Sequence, residues 1–161
     1  MAKIIKVKTG SRFEEIASYS RVVTVDNWIF VSNTAGRNPE TNEMPDDVFE
    51  QTDQVFLNIE RALAAVDASL GDIVTSKVFI QNPDDVSAVM EHIGSKFKGI
   101  DPTTTVTCPP LGSSIYKVEL EVTASFPALT KKRPLDAAIS VDFVEDTSDE
   151  WKKENIINIK I

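Results

Sequence analysis

Glu119 and Glu121 occupy alternate positions in the run IYKVELEVTA, so in an extended strand their carboxylates share one face, roughly 7 Å apart. Two carboxylates this close can divide acid and base work if their surroundings push their pKa values apart. A solvated strand face would show the same spacing and carry no chemistry, and both readings stay open. Tyr19 and Arg21 form a second pair two residues apart. An arginine beside a tyrosine suits a carboxylate ligand, because the guanidinium fork matches its two oxygens. An exposed arginine laying its stem along a sheet looks the same in sequence.

Just upstream of the glutamate strand, residues 101–114 read DPTTTVTCPPLGSS, with four threonines, the only cysteine and two adjacent prolines. Cys108 lies between Thr107 and Pro109 with no histidine or lysine close in sequence, so nothing local would favour a nucleophilic thiolate. His92, the only histidine, is flanked by Glu91 and sits off the apolar stripe of its segment, which reads as a surface position. One cysteine and one histidine offer neither an internal disulfide nor a metal cluster. No glycine pattern resembles a phosphate loop.

These residues need elements to hold them. Ser20–Val25 and Trp28–Ser32, joined by Asp26-Asn27, read as a hairpin. A turn-rich loop, TAGRNPETNEMP, follows. Val48, Val55, Ile59, Leu63 and Val66 then recur at helical spacing, with Phe49 and Phe56 as an adjacent stripe and Asp46 and Asp47 suited to the N-terminus. A helix with so wide an apolar face should pack on a sheet. Residues 73–81 read as a strand ending at Asn82-Pro83. A second helix over about residues 84–97 gathers Val86, Met90, Ile93 and Phe97.

Residues 115–124 alternate strictly, with Tyr116, Val118, Leu120, Val122 and Ala124 pointing one way. The order ββ–α–β–α–β–β defines an α+β chain, a mixed β-sheet with two helices on one face. Its other face is mixed in character and invites self-association. We divide the chain into a domain over residues 1–128 and a C-terminal extension over 129–161, where composition shifts and short apolar pieces, ISVDFV and IINIKI, sit among charges.

The 161 residues suffice for one domain with a real core. With 25 acidic and 17 basic side chains the net charge is −8, which opposes a phosphate backbone, so nucleic acid is not an expected partner. No apolar run approaches 18 residues, and the first ten residues lack the apolar core of a signal peptide. We therefore expect a cytoplasmic protein with no membrane partner.

The order of elements resembles the RidA/YjgF family, together with VDNWIFVSNTAGRNPETNEMPDD, the helix QTDQVFLNIERALAAVDASLGDIV, SKVFIQNPDDVSAVM and DPTTTVTCPPLGSSIYKVELEVTA. The resemblance runs from about Ser18 to Ala124. It implies a chorismate mutase-like fold assembled as a homotrimer, with three sheets around a central barrel and ligand clefts between subunits. It implies hydrolysis of reactive imines or enamines, such as 2-iminopropanoate, to a keto acid and ammonia, with no metal or organic cofactor. Some relatives have been described as ribonucleases or translation inhibitors, and others deaminate 2-aminomuconate.

Carried over position by position, Tyr19 falls at the cleft tyrosine and Ser32 at the serine of a Ser-Gly pair. Glu121 falls at a glutamate that positions or activates water. Asn33 stands where the family has glycine. Thr104 stands where the family keeps the arginine that grips the substrate carboxylate, a departure that removes a bidentate contact. The expected site is therefore Glu121 as the catalytic group, with Tyr19, Arg21, Ser32, Asn33, Thr104, Thr105 and Cys108 binding a small carboxylate or imine. Arg21 is the expected replacement cation, with Arg37 a weaker one. A protein that kept the fold and lost the chemistry, binding a small regulatory ligand, is the competing expectation.

Overall fold

A computed structural model describes residues 2–126 and the backbone of residues 156–160. In chain order the elements are β1 (Ile4–Lys8), α1 (Arg12–Ile16), β2 (Val22–Val25), β3 (Trp28–Ala35), α2 (Val48–Ala64), β4 (Ile73–Ile80), α3 (Val86–Phe97), β5 (Thr103–Thr107), β6 (Val118–Ser125) and β7 (Ile156–Lys160). The strands form one sheet in the order β5-β4-β6-β3-β2-β1-β7. The β4–β5 and β1–β7 pairs are parallel and the rest antiparallel, so the sheet is mixed.

Period-two patterning builds the central strands. In β6, Val118, Leu120, Val122 and Ala124 are buried while the intervening residues stay partly open. Asp26 takes a positive φ of 51° in the two-residue turn between β2 and β3, a conformation that aspartate tolerates and that matches strand twist. Strand β3 runs to Ala35, beyond the expected end at Ser32, because Thr34 and Ala35 resume pairing with Leu120 and Glu119.

The helical stripe of α2 buries Val55, Ile59 and Leu63 against the sheet, together with Phe56. Asp47 caps this helix, its Oδ1 accepting from the amides of Phe49 at 2.8 Å and Glu50 at 3.0 Å. On α3 the fully buried residues are Val89, Ile93 and Phe97, whereas Val86 and Met90 are only partly covered. Both helices lie over one face, and the sheet's other face is left open.

Three elements were not anticipated. IIKVK forms β1, stabilised by antiparallel pairing with β2, and Arg12–Ile16 forms the short α1. Within the segment expected as an extension, Ile156–Lys160 adds β7 in parallel to β1. Residues 127–155 of that extension lie outside the described residues. Among the described residues, no helix is long and apolar enough to cross a membrane.

Candidate functional site

The open face owes its local geometry to a bulge. Between the pairs Val31–Val122 and Thr34–Leu120, β3 spends one residue more than β6, which displaces Ser32 and Asn33 from regular pairing. Thr34 returns inward and is buried, while Asn33 turns out and its Nδ2 donates a hydrogen bond to Glu119 Oε2. Burial pushes the Glu119 carboxyl above its ordinary value, and the Asn33 hydrogen bond offsets part of that rise. Asn33 is not among the positive-φ residues and lies within strand β3.

Ser32 donates through Oγ to the Ser20 carbonyl at 2.7 Å, tying the bulge to the segment that precedes β2. A shallow cleft of about 240 Å³ lies beside it, lined by Ser20, Val23, Phe30, Ser32, Glu121 and Thr123. Glu121 thus shares the cleft with Ser32. Its Oε1 is 3.2 Å from Lys77 Nζ on the neighbouring strand. The two glutamates have different surroundings: Glu119 is half-buried against an amide, and Glu121 is ion-paired.

Arg21 is held by its surroundings. Nη1 donates to the Asn33 carbonyl at 3.2 Å and to Thr34 Oγ1 at 3.3 Å, and Nε lies 3.7 Å from Glu14 Oε1. Its guanidinium carbon is 5.9 Å from the centre of the Tyr19 ring. Glu14 is 1% exposed and also accepts from the amides of Thr9 and Gly10 and from Thr9 Oγ1. Four groups therefore occupy the arginine expected to grip a ligand. It braces the bulge from behind.

Thr104 lies elsewhere. It pairs with Ser76, and the two hydroxyls are 2.9 Å apart. Ser76 is buried on the helix-covered face, so Thr104 does not share the face of Glu119 and Glu121. Thr105 does, because its register partner is Lys77, which in turn pairs with Glu121. Cys108 is exposed just past β5 and is not part of the cleft lining. Ser32, Asn33, Glu119 and Glu121 are brought together at the bulge, whereas Arg21 lies behind it and Tyr19 is placed against Arg21.

Reasoning from sequence passed over Glu14 and Lys77. Ser11-Arg12-Phe13-Glu14 fits the S-x-x-E signature of a helix start, and Ser11 Oγ does accept from the Glu14 amide at 3.3 Å. Lys77 sits between the buried Ser76 and Val78, which assigns it to the open face, but only the register sets it against Glu121.

A neighbouring network fixes the entrance to β6. Gln51 on α2 is buried. Its Nε2 donates at 2.7 Å to the carbonyls of Pro45 and Ile115, and its Oε1 accepts from the Lys117 amide at 2.9 Å. Gly36 allows the end of β3 to approach this point, since a Cβ there would lie 2.9 Å from Gln51 Cα. Among the described residues, no group of three or more His, Cys, Asp or Glu side chains is placed to hold a metal ion.

A mixed sheet with two helices on one face and a bulged central strand on the other places this chain in the YjgF/UK114 fold. A YjgF/YER057c/UK114 family member from Mycobacterium tuberculosis superposes with a TM-score of 0.70 at 28% identity, covering 77% of this chain and 100% of its own. Residues 9–126 match the family model described as Endoribonuclease L-PSP, and the chain belongs to this family, the RidA/YjgF family. A RutC family protein of Pyrococcus abyssi is 36% identical over 100 residues, 62% of this chain and 77% of that one. A 2-iminobutanoate/2-iminopropanoate deaminase of Dermatophagoides farinae is 30% identical over 110 residues, 67% of this chain and 85% of that one. Strand β7 lies beyond the matched residues.

Proposed function

We propose that this protein hydrolyses imine or enamine metabolites to a carbonyl compound and ammonia, at clefts between the subunits of a homotrimer. The observation that carries the reading is the Asn33–Glu119 pair on the open sheet face, with its carboxyl raised by burial. A raised pKa makes the carboxylate a stronger base towards water and leaves more of the carboxyl protonated at a given pH, available to a departing amine. Relatives named as 2-iminobutanoate/2-iminopropanoate deaminases support the reaction type.

In this reading a water oxygen attacks the C=N carbon and Glu119 takes one of its protons. The same carboxyl passes that proton to nitrogen, giving a carbinolamine, then takes the hydroxyl proton and delivers it to nitrogen as the C–N bond breaks, leaving C=O and ammonia. Glu121, the glutamate that the family resemblance marks, lines the cleft with Ser32 and orients the ligand. The exposed apolar residues Trp28 and Phe30 on the same face are what a subunit interface would cover.

One observation favours a binding role without catalysis: Thr104, at the position of the family's arginine, is bonded to Ser76 on the other face. Ammonia release from freshly generated 2-iminopropanoate and from 2-aminomuconate separates the two. Release faster than the spontaneous rate supports hydrolysis. No acceleration across a panel of imines leaves ligand binding, and a monomer by light scattering removes the inter-subunit cleft.

A further inference from the structure

The register across β5, β4 and β6 sets Thr105, Lys77 and Glu121 side by side on the open face. Lys77 Nζ is 3.2 Å from Glu121 Oε1, and its side chain is 59% exposed. Glu121 is a wall of the cleft that Ser20, Phe30 and Ser32 also line. An ammonium carries three donors, so one can stay with Glu121 while the others meet a ligand. An exposed lysine–glutamate pair is weak and re-forms easily, which leaves this cation available.

Arg21 is not available in the same sense. Drawing it away would leave the buried Glu14 carboxylate without its cation and break bonds to Asn33 and Thr34. Thr104 carries no charge and faces the helices. We infer that Lys77 is the residue that holds the ligand's carboxylate, and that the site selects monocarboxylates over dicarboxylates. The second half follows from the local charge. Glu121 already shares this one ammonium, so a second ligand carboxylate would find no cation of its own there and would meet the Glu121 carboxylate.

The inference rests on the reading above that the Glu119–Glu121 face is the ligand site. It is tested with a stable keto acid, so that binding is read apart from turnover. Pyruvate and 2-oxoglutarate are titrated into the full-length protein and followed by amide NMR shifts. Pyruvate should bind with resonances of β4, β6 and Ser32 moving, and 2-oxoglutarate should bind about tenfold more weakly or worse. Lys77→Met should weaken pyruvate about tenfold or more, Lys77→Arg should restore most of it, and Lys6→Met, another lysine of the sheet, should change nothing.

With 2-iminopropanoate, Lys77→Met should raise KM about tenfold while kcat stays within about threefold. Unchanged pyruvate affinity in Lys77→Met overturns the assignment, as does equal or tighter binding of the dicarboxylate, or no pyruvate binding by the unsubstituted protein. Lys77-dependent pyruvate binding with no ammonia release from any imine sinks the hydrolase reading and leaves this one standing.

Discussion

Asn33 donates a hydrogen bond to Glu119 across 86 positions of sequence, from the bulge of β3 to the first open-face position of β6. Burial raises the carboxyl and the amide hydrogen bond lowers it, so Asn33→Ala should raise the midpoint of Glu119 further. A carbon-detected NMR titration of the glutamate carboxyls reads this directly. A fall, or no change, removes Asn33 from the site's electrostatics. Imine hydrolysis by Glu119→Gln should drop about a hundredfold or more, with the fold intact by circular dichroism.

The same shift carries a stability signature. A carboxyl raised above its unfolded value favours folding below the unfolded pKa, and that contribution is lost as pH rises through the folded pKa. Glu119→Gln should therefore be the more stable protein at neutral pH, and the difference should vanish in acid. Urea midpoints at neutral and acid pH test it. A variant less stable than its parent at neutral pH contradicts the raised value.

Much of the frame was legible. The alternation in residues 118–124, the heptad-and-four spacing of α2 and the Asp26-Asn27 turn are local signals, and each produced its element. What failed to show was everything decided between strands. IIKVK is too short to declare itself and becomes β1 by pairing with β2. The bulge at Ser32 and Asn33 exists only relative to β6. Thr104, expected in the site at the place of the family's arginine, pairs with Ser76 and turns to the other face, while Thr105 and Lys77 come forward. The glutamate pair was visible, but burial and the amide contact separate Glu119 from Glu121.

Gln51 satisfies three backbone groups with one side chain, so its replacement should be costly. Gln51→Leu keeps the volume and abandons the carbonyls of Pro45 and Ile115 and the amide of Lys117. A loss of about 3 kcal/mol is expected, read from the urea midpoint at constant slope. Gln51→Glu should lose a similar amount, because a carboxylate cannot donate to either carbonyl. A change below about 1 kcal/mol would mean that water replaces the amide.

Glu14 and Arg21 should behave as a unit. Arg21→Met leaves a buried carboxylate without its cation and should cost about 3 kcal/mol. Glu14→Gln keeps hydrogen bonding to Thr9 and Gly10 in part and should cost less. The double variant should be more stable than the sum of the two losses implies, by about 1 kcal/mol or more. Strict additivity in a double-mutant cycle would show that the 3.7 Å contact contributes nothing.

Asp53 joins α2 to α3, accepting from Lys96 Nζ at 2.7 Å and from His92 Nε2 at 2.8 Å. The Lys96 hydrogen bond holds its carboxyl below the ordinary aspartate value; partial burial opposes this, and the His92 hydrogen bond and both positive charges add to the lowering. For a depressed carboxyl the stabilisation is complete above the unfolded pKa and is lost as pH falls through the folded one. Asp53 is nearly half exposed, so solvent screening limits the contribution to about 0.5 kcal/mol. Asp53→Asn should cost this much at neutral pH, less in high salt, and nothing once the parent carboxyl is protonated. Thermal melts across that range decide it: a loss that persists in strong acid belongs to packing of the helices, including the Phe49–His92 ring contact, and not to the charge.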